Sequence, residues 1–109
     1  MSLPAGIRIA TAADIAAALS ASVENGGLIL DESDLGADFF DLRTGLAAAV
    51  LQKFTHFRAR LAIVVADAAS HGGRFNELAY EHRSHNAVRF VATDNLARQW
   101  LAYNRIVKC

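Results

Sequence analysis

The chain has almost no cysteine: Cys109, its last residue, is the only one. A lone thiol closes no internal disulfide, and without neighbouring ligands at metal spacing it makes a poor zinc or redox site. Proline occurs once and glycine seven times in 109 residues, which excludes collagen-like or low-complexity sequence. No apolar run exceeds six residues. The longest, 46–51 and 61–66, fall far short of the roughly 20 that a spanning helix needs. No basic-then-apolar leader precedes them. These shortages predict a cytoplasmic protein with no membrane partner. Lysine is confined to positions 53 and 108, and 11 basic side chains balance 11 acidic ones, so no bulk field exists to hold nucleic acid. What is present is a hydrophobic fraction of 53%, enough for a core in one domain spanning residues 1–109. Residues 1–3 are set aside as a candidate expression remnant.

Along the chain, apolar spacing alternates between strand and helix periods. Ile7-Arg8-Ile9-Ala10 reads as a first strand, and Thr11 with Asp14 three positions on has helix-capping spacing. A helix with Ile15, Leu19 and Val23 at steps of four follows, ending at Asn25-Gly26-Gly27. Leu28-Ile29-Leu30 reads as a buried strand ending in Asp31. Asp38 and Asp41 repeat the capping spacing before one long helix, with Phe39, Leu42, Leu46, Ala49, Val50, Phe54 and Phe57 at steps of three and four. Residues 61–66 are apolar on both faces, as a mid-sheet strand requires. His71-Gly72-Gly73 interrupts the chain before a helix carrying Phe75, Leu78, Ala79 and His82. Val88-Arg89-Phe90-Val91 is a fourth strand, and Thr93 caps a last helix with Leu96, Trp100 and Tyr103. Four strand–helix alternations joined by short loops predict an α/β fold with a four-stranded, largely parallel sheet.

The string Phe39-Phe40-Asp41-Leu42-Arg43-Thr44-Gly45-Leu46-Ala47, followed by Leu51-Gln52-Lys53-Phe54 and Arg60-Leu61-Ala62-Ile63-Val64, resembles the bacterial domain-of-unknown-function family 4180 over residues 28–101. The chain departs from that pattern at Ala66-Asp67 and at Glu81-His82-Arg83-Ser84-His85. In layout it is similar to the STAS domain of sulfate transporters and anti-sigma-factor antagonists. That resemblance implies a STAS-like sheet and a regulatory role, with Thr44 the nearest counterpart of the antagonists' phosphorylated serine.

On the wheel of the long helix, Leu42, Leu46, Ala49, Val50 and Phe57 share one arc, while Asp41, Thr44, Gly45, Ala48, Gln52 and Thr55 lie opposite. A slim, weakly charged outer strip suits close approach of another backbone. The expected function is therefore a non-enzymatic interaction or regulatory module. Its partner surface is Asp41, Thr44, Gly45, Ala48 and Gln52, its candidate phosphorylation site is Thr44, and its partner is another protein or a second copy. The alternative is a small Mg-dependent phosphoryl-handling enzyme or receiver-like phosphoacceptor using Asp31 and Asp67, since both follow buried strands. Other chemistry is weaker. His82 with His85, Glu81, His71 and Glu77 has partial metal-ligand spacing, but His82 shares the apolar face of its helix. Ser70, Ser84 and Cys109 lack an argued base, and neither glycine pair forms a phosphate cradle. Arg58, Arg60, Arg89 and Arg98 interleave with Phe57, Phe90 and Trp100, whose periodicity points them inward. No catalytic residue and no cofactor is assigned.

Overall fold

The computed structural model describes residues 7–82 and 85–107. Residues 1–3, Ser84 and Cys109 lie outside the described residues, as does the side chain of Tyr103. Three short apolar segments pair as strands β1 (Leu28–Asp31), β2 (Leu61–Val64) and β3 (Val88–Val91). Both pairings are parallel and the order is β1-β2-β3, with β2 in the middle. The α/β character stands, but the four-stranded, STAS-like sheet is overturned.

The segment expected as a first strand makes one isolated parallel bridge, Ile9 with Leu35, away from the sheet. Ile9 donates its N–H to the Asp34 carbonyl and accepts from Gly36, at 2.9 and 3.0 Å. Extension beyond that is prevented locally. The Asp14 carboxylate takes the N–H groups of Ala10 and Thr11 at 2.8 and 3.0 Å, turning the chain into a 3-10 turn (Ala12–Asp14) and then α1 (Ile15–Asn25). A capping box placed this close to the bridge stops the extended segment from continuing past Ala10.

The other helices are α2 (Ala37–Phe40), α3 (Leu46–His56), α4 (Gly73–Glu81) and α5 (Asp94–Val107). Alternation along the strands divides the core. Leu28, Leu61 and Val88, then Leu30, Ile63 and Phe90, face one side, where Ile15, Phe39, Leu46, Val50, Phe54 and Phe75 from α1 to α4 cover them. Ala62, with Ile29, Val64 and Val91, faces the other side and packs on Ala97, Trp100 and Leu101 of α5. Phe39, Phe54 and Phe75 are fully buried, each contributing about 1.5–3 kcal/mol of transfer free energy.

The expected long helix is broken in two. Between α2 and α3 stand an extended Asp41, a 3-10 turn (Leu42–Thr44) and Gly45 at φ 79° and ψ 0°. The three-and-four spacing persisted across the break because each piece separately turns its apolar residue to the core. Phe57, expected inward, is 55% exposed. It lies just past α3, where Arg58 adopts φ 55° and the Ala59 N–H reaches back to the Phe54 carbonyl at 3.0 Å, so the helical arc no longer applies. Val23 is likewise 64% exposed, since α1 buries Ile15, Ala18, Ala21 and Ser22 instead. Leu96 is exposed too, while Ala97, Trp100 and Leu101 carry the buried stripe of α5. Phe90 and Trp100 are buried as expected.

One polar clamp ties the layers together. Arg60, just before β2, donates from Nη2 to the Gly26 carbonyl at 2.6 Å and from Nη1 to the Leu101 carbonyl at 3.1 Å. Its own carbonyl accepts from the buried Ser22 hydroxyl at 2.6 Å and from the Leu28 N–H at 3.1 Å. Residue 60 thereby joins the end of α1, the start of β1 and α5. Replacing Arg60 with Met keeps the aliphatic stem and removes the donors, and urea unfolding is expected to show a loss of about 1–3 kcal/mol. An unchanged midpoint would show that the clamp contributes nothing.

Candidate functional site

The string Phe39 to Ala47 forms the joint between α2 and α3, and each polar residue in it has a local task. The Asp41 carboxylate accepts from the Arg43 N–H at 3.1 Å and from Arg43 Nε and Nη2, both at 3.0 Å. Those hydrogen bonds and the adjacent guanidinium charge hold the Asp41 carboxyl below the usual carboxylate range and push Arg43 upward. The Thr44 hydroxyl lies within hydrogen-bond reach of the Asp38 and Asp41 carbonyls, at 2.6 and 2.9 Å, and accepts the Leu46 N–H at 3.2 Å. Thr44 thus stitches the end of α2 to the start of α3. A helical reading of Gly45 missed this, because a wheel shows spacing and not the hydrogen bonds that compete with it.

Opposite the joint, the chain leaving β2 makes a 3-10 turn (Ala68–His71) before α4. The His71 ring stacks on Phe40 at 3.9 Å between centroids, with planes 12° apart, and Nε2 bonds to the Glu32 carboxylate in the loop after β1. Phe75 meets both rings, at 5.1 Å from Phe40 and 5.5 Å from His71. Between the joint and the start of α4 lies an open cleft of about 770 Å³, lined by Phe40, Asp41, Leu42, Arg43, His71 and Arg74, with Gly72 and Gly73 at one end. Gly72 sits at φ 106°, a conformation reserved for glycine, and a Cβ on either glycine would meet nothing within 4 Å. The turn and the Glu32 loop follow the carboxyl ends of β2 and β1, where ligands gather in parallel sheets. Sequence reasoning looked to this edge through Asp31 and Asp67 but missed the cleft. Its one visible signal was His71-Gly72-Gly73 after a buried strand.

Asp31 and Asp67 are engaged in turns. The Asp31 carboxylate accepts from the Ser33 N–H at 2.9 Å and from the Ser33 hydroxyl, which together hold its carboxyl low. Asp67 opens the turn before α4, its carbonyl accepting from the Ser70 hydroxyl at 2.7 Å. Among the described residues, no three His, Cys, Asp or Glu side chains gather as a metal-ligand group. His82 and His85 do come close, with ring centroids 5.0 Å apart. His82 Nδ1 faces the Leu78 carbonyl at 3.0 Å. His85 Nδ1 lies 3.0 Å from the Ala87 N–H and 3.3 Å from that of Val88, placing it at the start of β3. Burial, then the neighbouring His82 and Arg89, lowers the His85 pKa.

On the outer face of α3, Ala48, Gln52 and Thr55 are exposed, while Leu46, Ala47, Val50 and Phe54 point into the core; exposed Thr44 and Gly45 and half-buried Asp41 belong to the joint before the helix and not to its wheel. Beside this strip lie two hollows, one formed by α1 and Phe57 and one between α1 and α3. One of about 420 Å³ holds Ser20, Val23 and Glu24, and one of about 450 Å³ holds Ala16, Gln52 and Lys53. Leu19 and Phe57 line both and form the ridge between them.

A family model described as a domain of unknown function, DUF4180, matches residues 3–101. No curated protein and no solved structure matches the chain.

The lowered carboxyls make acid stability a readout of the joint. An aspartate held below the ordinary 3.8 stabilises the fold fully above that value and loses its contribution as pH falls through its lower folded-state pKa. Thermal unfolding is expected to weaken below about pH 4, and Asp41→Asn to flatten that acid limb while lowering the melting temperature at pH 7. Identical pH profiles for the two proteins would contradict the role given to Asp41.

Proposed function

We propose that this chain, which belongs to the DUF4180 family, is a non-enzymatic interaction module that pairs with a second copy of itself through the face made by α1 and α3. The observation that carries the reading is the pair of large apolar side chains, Val23 and Phe57, left 64% and 55% exposed over adjoining hollows. Uncovered apolar surface of this kind marks contact sites for other proteins. The slim strip of Ala48 and Gln52 beside it allows a neighbouring backbone to approach.

Charge placement favours self-association. Glu24 lines one hollow and Lys53 the other, with the Leu19–Phe57 ridge between them. A twofold axis through that ridge sets Glu24 of each copy against Lys53 of its partner, the self-complementarity that a symmetric interface needs. Thr44 enters this reading as a control point. A phosphate on its hydroxyl would remove the proton shared with the Asp38 and Asp41 carbonyls and set negative charge against them, loosening the start of α3.

Sedimentation equilibrium at micromolar concentrations is expected to give a dimer mass. Phe57→Glu should give a monomer whose unfolding midpoint matches that of wild type once wild type is diluted until it dissociates, because the side chain is more than half exposed in the single chain. Ala48→Arg, one turn from Gln52 on the same face, should weaken the dimer. A wild-type chain that stays monomeric, or a dimer indifferent to Phe57→Glu, refutes the proposal.

A further inference from the structure

The cleft at the carboxyl edge of the sheet takes no part in the α1–α3 face, and its lining has a distinct chemistry. One wall is aromatic: half-buried Phe40 stacked on half-buried His71, with the buried Phe75 packed against both. Its rim is cationic. Arg43 spends Nε and one Nη2 hydrogen on Asp41, and its side chain is 88% exposed, so three of the five guanidinium N–H groups remain directed to solvent. Arg74 is exposed and enters no ion pair among the described residues. A volume of about 770 Å³ suits a small organic molecule rather than a single ion.

We infer that this cleft binds a small planar aromatic carboxylate, with the ring against Phe40 and His71 and the carboxylate against Arg43 and Arg74. Two arginines, one of them already paired with Asp41, supply the forks that a carboxylate needs, and the aromatic wall gives an organic anion a contact that inorganic phosphate cannot use. Arginine forks recognise carboxylates in a bidentate manner, and guanidinium and aromatic planes both stack on flat ligands. The ligand's ring replaces water over apolar carbon, and its charge fixes its orientation.

The test is a ¹⁵N–¹H NMR titration of the full chain with three probes: indole-3-acetate, neutral indole and inorganic phosphate. Indole-3-acetate is expected to shift the amides of Phe40, Arg43, Gly72 and Gly73 saturably, with indole and phosphate each binding more weakly. Arg74→Gln, whose side chain is in solvent, should weaken indole-3-acetate about tenfold, the loss expected for one charged hydrogen-bonding partner, with its unfolding midpoint unchanged. Phosphate binding as tightly as indole-3-acetate, shifts mapping to the α1–α3 hollows, affinity indifferent to Arg74→Gln, or no saturable shift at millimolar probe would each overturn the inference.

Discussion

The architecture turns on one backbone conformation, the left-handed Gly45 that separates α3 from α2. Apolar spacing from Phe39 to Phe54 is compatible with a single continuous helix. Local polar groups prevent it. Asp41 draws the Arg43 amide and guanidinium to itself, Thr44 gathers the Asp38 and Asp41 carbonyls and the Leu46 amide, and Gly45 supplies the positive φ. Once the helix is broken, Phe39 can enter the core while its neighbour Phe40 stays half-buried beside His71.

From that joint the two surfaces of interest diverge. On one side Phe40, Asp41, Leu42 and Arg43 form a wall of the carboxyl-edge cleft, facing the loop that leaves β2. On the other, α3 starts afresh, sends Leu46, Val50 and Phe54 into the core, and leaves Thr44, Ala48 and Gln52 in water beside the hollows along α1. The cleft wall and the start of α3 adjoin along the chain: Asp41 and Arg43, which line the cleft, pair across the 3-10 turn that Thr44 joins to Leu46. The physical link between the surfaces is short and local. The Arg60 clamp has a complementary task, holding α1 and α5 to the sheet across a junction that apolar packing alone does not specify.

Much of this organisation is legible in residue order. Leu28-Ile29-Leu30 and 61–66 announce strands because a parallel sheet covered on both faces favours apolar runs, and Val88, Phe90 and Val91 do so around the single Arg89. The inward stripe Leu46, Val50 and Phe54 and the outward Gln52 follow from helical period alone. The errors of element length share one cause. Period counting assumes that an element continues, and side-chain oxygens decided otherwise at Asp14, which halts the first segment at a bridge, and at Asp41 and Thr44, which halt the helix. Phe57 lies just past its helix, off the arc that the wheel assigns it, and Val23 is exposed because the buried stripe of α1 runs through Ile15, Ala18, Ala21 and Ser22. The cleft was illegible because its two walls are joined only through tertiary contact, Glu32 to His71 and His71 to Phe40.

The sign of one substitution decides between a joint and a continuous helix. At Gly45 an added Cβ would meet nothing within 4 Å, so steric collision plays no part and only the backbone conformation responds. With φ at 79°, Gly45→Ala measured by urea unfolding should destabilise the protein by about 1 kcal/mol, the penalty of holding an L-residue in the left-handed region. Were residue 45 inside an unbroken helix, the same change would stabilise the protein by about 1 kcal/mol, and that gain would contradict the account.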